Sequence, residues 1–124
     1  MADTAHLLAP FALPQQLTET DLVAKYFKVL SDATRVRILE LLEERGELSV
    51  SQLVAALGQS QPRVSNHLGC LRWCGFVITR REHPSVRYRV ADERVLRVLA
   101  LGRELLADNA KHVAACRRVD GKGC

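Results

Sequence analysis

Apolar residues recur at helical spacing over most of the chain and switch to strict alternation in one short stretch. Leu22, Val23, Tyr26, Phe27 and Leu30 form a first helical stripe, opened by Thr18 with Asp21 three residues on, the spacing of a capping box. Asp32 is placed to cap a second helix, with Val36, Leu39 and Leu42 facing inward and Gly46 at its end. Ser49 and Gln52 repeat the capping-box spacing ahead of a short helix carrying Val50, Leu53, Val54 and Leu57. Gly58 and Gln59 turn the chain into a helix over residues 60–74. Its hydroxyl N-cap is Ser60, Pro62 is tolerated in its first turn, and Val64, Leu68 and Leu71 make a narrow seam. Residues 76–80 and 86–90 are rich in β-formers and the second run alternates, so they read as a hairpin with residues 81–85 as its loop.

Asp92 caps a long last helix, whose Val95, Leu96, Leu99, Leu105, Leu106 and Val113 make an apolar band wider than one small domain needs. That surplus predicts a helix shared across a dimer interface. The expected organisation is an N-terminal arm over residues 1–17 containing Pro10 and Pro14, a domain over 18–115 with its dimerisation helix at 92–115, and a cysteine-containing tail over 116–124.

Two short helices joined by a Gly-containing turn, the second polar and basic near its start, form the pattern of a helix-turn-helix. With the hairpin as a wing, the expected fold is mainly α with a β-hairpin wing, a dimeric winged helix-turn-helix. Gln61, Arg63, Ser65, Asn66 and His67 then stand where base edges are read in a major groove. Arg80, Arg81 and Arg87 make the wing basic enough for phosphate contacts, a reading preferred to a merely solvated face because of the helices beside it. A net charge of +4 agrees with an acidic partner, here double-stranded operator DNA. No paired carboxylates, phosphate-cradling glycine loop or Cys/His/Asn set supports an enzyme. No apolar run approaches the roughly 18 residues of a membrane span, and the start of the chain lacks the basic region of a signal peptide. The expected compartment is cytoplasmic, where the four cysteines stay reduced.

Cys70 and Cys74 are one helical turn apart, on a flank with Arg63 and Asn66 and away from the apolar seam. Paired thiolates suit large soft cations. The bland alternative, two small hydrophobes at a helix end, is weakened by two of four cysteines falling on one turn.

Leu30, Ser31, Asp32, Ala33, Thr34 and Arg35, then Val64 to Leu68, Leu71, Arg72, Gly75, Arg87 and Tyr88 together resemble the ArsR/SmtB family of metal-responsive repressors. The resemblance implies a winged helix-turn-helix homodimer that holds a palindromic operator in the apo form and is released by its inducer. Ser49, Val50 and Ser51 stand where arsenic and cadmium sensors of one branch carry Cys-Val-Cys, so that site is absent. Cys70 and Cys74 match the cysteine pair of the CmtR-type cadmium/lead sensors, with Cys116 placed to match a third ligand and Cys124 a further candidate. The implied inducer is a soft divalent ion, cadmium or lead, with mercury or arsenite possible on the same scaffold. The tail cysteine could come from the other subunit. A thiol-redox repressor of the same fold is the alternative. Cys74–Cys116 would then be its disulfide, because cysteines on adjacent turns of one helix strain the bond.

Overall fold

In the computed structural model, which describes residues 16–118, the first helix starts at the capping box its spacing predicts. The Asp21 amide donates to Thr18 Oγ1 at 3.1 Å and the Thr18 amide to Asp21 Oδ2 at 2.9 Å. That box opens α1 (Glu19–Val29). Asp32 caps α2 (Ala33–Arg45), its Oδ1 accepting from the Thr34 and Arg35 amides at 2.8 and 3.2 Å. Ser49 and Gln52 close the second box, at the head of α3 (Val50–Leu57). Gly58, at φ 66° and ψ 28°, then turns the chain into α4 (Gln61–Trp73). An added Cβ there would meet nothing within 4 Å, so glycine is required by the left-handed backbone and not by crowding.

Ser60 occupies the N-cap of α4, but its side chain makes no capping bond, contrary to expectation. A capping hydroxyl bonds the second or third amide of the helix; Pro62 in second place has none, and Ser60 does not engage the Arg63 amide in third place.

The sheet has the order β1-β3-β2, with β1 (Leu48–Ser49), β2 (Val77–Glu82) and β3 (Ser85–Val90) all antiparallel. The wing is longer and tighter than expected. Arg81 pairs with Val86 and Glu82 with Ser85, which leaves His83 and Pro84 as the turn where residues 81–85 were read as a loop. Proline is at home there, having no amide to give to a ladder. The two-residue β1 is too short to carry a periodic signal and exists because Leu48 and Ser49 lie beside Tyr88 and Arg87.

The core gathers Ile38, Leu39, Leu41 and Leu42 of α2, Leu53 of α3, Val64, Leu68 and Leu71 of α4, and Phe76 and Val77 entering the wing. Helix α2 is buried more broadly than its predicted stripe, because α3, α4 and β3 pack around it. The first and last helices behave differently. Helix α1 docks through Val29 and through Tyr26, whose ring stacks on Phe76 at 4.6 Å, while Leu22, Val23 and Phe27 of the expected stripe stay exposed. On α5 (Glu93–Ala115), Val95 is buried and Leu101, Leu105, Leu106 and Val113 are exposed. A groove of about 500 Å³ between these helices is lined by Phe27, Leu30, Val36, Val98, Leu99 and Leu106. One chain does not cover this apolar surface, which is why the predicted stripes are only partly buried. The proline-bearing part of the arm and Cys124 lie outside the described residues.

Candidate functional site

Helix α4 is anchored by Val64, Leu68 and Leu71, all fully buried, and turns Gln61, Arg63, Ser65 and Asn66 outward. Arg63 is held from below: its Nε donates to Gln59 Oε1 at 3.1 Å, and Gln59 Nε2 donates to Thr34 Oγ1 at 3.0 Å. Sequence reasoning treated Gln59 only as a turn residue, although its i,i+4 spacing to Arg63 was a signal. His67 differs from the others. Its side chain is 11% exposed, its Nδ1 lies 4.0 Å from Asp32 Oδ1, and it accepts a bond from Arg35 Nε at 3.2 Å. His67 therefore braces the helix against the start of α2 and does not share the outer face with Arg63 and Asn66.

The wing arginines are less free than their number suggests. Arg80 meets Glu47 at 2.7 Å and Glu82 at 2.9 Å, and Arg87 meets Glu82 at 3.2 Å. The hydrogen bonds from Arg80 hold both carboxyls below the usual glutamate range. Arg81 is exposed and makes no ion pair among the described residues. Glu47 and Glu82 had no part in the sequence reading, since Glu47 is 33 residues from Arg80 and only the folded sheet brings them together.

At the other end of α4, Cys74 forms the C-cap, with its amide donating to the Cys70 carbonyl at 3.0 Å. Cys70 is half-buried and packs on the edge of the core, closer to the seam than expected, whereas Cys74 is exposed. Partial burial, together with the neighbouring Cys70 thiol and a hydrogen bond to it, pushes the Cys74 thiol up. Arg35 and Lys25 pull it the other way. The pair opens into a cleft of about 300 Å³ whose other walls are Lys25, Lys28, Val29 and Arg35. Arg35 links the cleft to α4 through its Nε bond to His67, and its Nη1 also donates to the Val29 carbonyl of α1 at 3.2 Å. None of these cationic residues was assigned to the site from sequence.

The donor chemistry of the pair fits a soft ion, but the set is incomplete. Among the described residues no group of three or more His, Cys, Asp or Glu side chains converges on one point. Cys116 caps the far end of α5. Val95 and Gly75 line one pocket near the start of α5, so Cys116 lies about 30 Å farther along the helix axis. The same separation removes a Cys74–Cys116 disulfide within one chain, because bridged Cα atoms lie within about 7 Å.

Residues 32–79 match the profile described as "Bacterial regulatory protein, arsR family". The chain is 43% identical over 106 residues to a probable mercury resistance operon repressor of Streptomyces lividans, a match spanning 86% of this chain and 84% of that one. It is similar to the homodimeric winged helix-turn-helix domain of a possible ArsR-family regulator from Mycobacterium bovis, with TM-score 0.64, 34% identity, and coverage of 78% of this chain and 92% of that one. It is also similar to the AntR antimony-specific transcriptional repressor, with TM-score 0.64, 33% identity, and coverage of 85% and 96%. Among the described residues no helix is long and apolar enough to cross a membrane. With α3 and α4 inside the matched span and a hairpin wing that begins at its end, the chain belongs to the arsR family of bacterial regulatory proteins and is a transcriptional regulator, not an enzyme.

Proposed function

We propose that this regulator is a homodimeric metal-responsive repressor that holds a palindromic operator without its inducer and leaves it when a thiophilic ion is bound by Cys70, Cys74 and a third thiolate. The observation that carries this reading is the thiol pair at one end of the helix whose other end presents Arg63 and Asn66. Cys116 from the partner subunit is the third ligand, because the same-chain residue is too far away, and Cys124 is a further candidate. The uncovered apolar faces of α1 and α5 support the dimer, as does the homodimeric relative. The mercury resistance relative supports mercury beside cadmium and lead, and the antimony-specific neighbour supports a trivalent metalloid as the competing inducer.

Gln61, Arg63, Ser65 and Asn66 face base edges in this reading, His67 supports them from behind, and Arg80, Arg81 and Arg87 meet phosphates. When bound, the ion supplies a firm link among the thiolates. The chain's own residues carry that link onward. The cysteine turn is part of α4 itself, and Arg35, which forms a wall of the cleft and donates to His67, ties a shift of that turn to the start of α2. Coupling of this kind is typically about 1–3 kcal/mol, and operator DNA must weaken ion binding by the same factor.

Operator binding followed by fluorescence anisotropy, with cadmium, lead, mercury, arsenite and zinc added in turn, tests the proposal. Soft ions should release the wild-type protein. The Cys70→Ser/Cys74→Ser variant should bind the operator equally well and stay bound. Wild-type protein that grips the operator unchanged under all five additions would overturn it.

The wing permits a second measurement. Glu47→Gln removes an anion that competes with phosphate for Arg80 and Arg89. Operator affinity should rise, and the slope of log K against log salt should steepen by about one. An unchanged slope would mean that Arg80 does not reach the DNA backbone.

A further inference from the structure

We infer that the thiol cleft selects its ion by the charge of the complex formed, favouring soft divalent ions over trivalent arsenite or antimonite, and that Lys25 and Lys28 impose this preference. The inference rests on the metal-binding reading above and narrows it to a ligand class. Lys25 and Lys28 are three residues apart on α1, and so share a face that lines the cleft beside Cys70 and Cys74. Arg35 adds a third cation from α2, and no acidic residue lines the cleft. The nearby Asp32 carboxylate is committed to the amides of Thr34 and Arg35.

The stoichiometry decides what those cations meet. A divalent ion bound by three thiols releases three protons and leaves a complex with one net negative charge. Arsenite, As(OH)₃, condenses with three thiols, releasing three waters, and leaves a neutral complex. The cations of the cleft attract the first and are indifferent to the second, apart from dipolar terms. Because both lysines are exposed, the attraction is that of charges near water and is screened by salt.

The test uses the full-length dimer and the Lys25→Gln/Lys28→Gln variant, neither position being part of the core. Cadmium, lead, arsenite and antimonite affinities are measured by competition, with the sulfur charge-transfer absorption as readout. At low salt the variant should lose about tenfold in cadmium and lead affinity and change less than about twofold for arsenite and antimonite, with the difference shrinking as salt is raised. Equal losses for both classes, or no loss for either, would overturn the charge inference while leaving the thiolate site standing. Wild-type protein that binds neither class through Cys70 and Cys74 would overturn the site and the inference together. Matching melting temperatures for the two proteins identify any loss as electrostatic.

Discussion

Leu106→Glu is expected to produce a folded monomer whose operator affinity is weaker by about a hundredfold or more. Leu106 is 43% exposed in the single chain and lines the groove between α1 and α5 with Phe27, Leu30 and Leu99. The fully buried core residues come from α2, α3, α4 and the wing, and Leu106 is not among them. A carboxylate at this position is therefore solvated in the separate chain. In a dimer closed by these faces, two symmetry-related carboxylates would be forced into a mostly apolar groove whose Arg103 is already paired with Glu40 and Glu43, which costs far more than the lost leucine contacts. The operator loss follows from valency. One reading head binds a half-site alone, and the gain from tethering two of them, commonly about 10²–10⁴, disappears. Sedimentation equilibrium reports the oligomer, circular dichroism the fold and anisotropy the affinity. A variant that remains dimeric with native affinity would show that the subunits meet elsewhere.

Leu68→Ala should destabilise the protein by about 2–5 kcal/mol. Leu68 is fully buried at the centre of α4, between Val64 and Leu71 on the same seam. Alanine is the best helix former, so no propensity penalty is mixed into the result and the loss is one of packing. Against a total of about 5–15 kcal/mol for a typical domain, such a loss is large. It should appear as a lower urea midpoint with an unchanged slope. A cost below about 1 kcal/mol would mean that the seam collapses around the cavity, and that α4 is held less firmly than its burial implies.

Different parts of the molecule were legible to different degrees. The capping boxes at Thr18 and Ser49 and the Asp32 cap stand where the spacing placed them. Ser60 holds the N-cap position without a side-chain bond, Pro62 leaving only the Arg63 amide for it to engage. The hairpin is legible in its β-rich runs, but its turn is shorter than they indicate, because strand pairing reaches past them to Glu82 and Ser85. Helical spacing already puts His67 nearer the apolar seam than Arg63 and Asn66, and its bond to Arg35, 32 residues earlier, holds it on the inner side.

The sequence by itself determined where helices begin and that two thiols stand one turn apart on α4. These features depend on hydrogen bonds and side-chain contacts within three or four residues, and backbone geometry alone sets them. Only the tertiary structure decided what surrounds the thiols and what restrains the arginines. Lys25, Lys28 and Arg35 reach the cysteines because α1 and α2 pack beside the end of α4, and Glu47 reaches Arg80 because β1 joins the edge of the wing. It also decided which apolar residues one chain leaves uncovered, since a stripe on α1 or α5 looks the same whether its partner is the chain's own core or a second subunit.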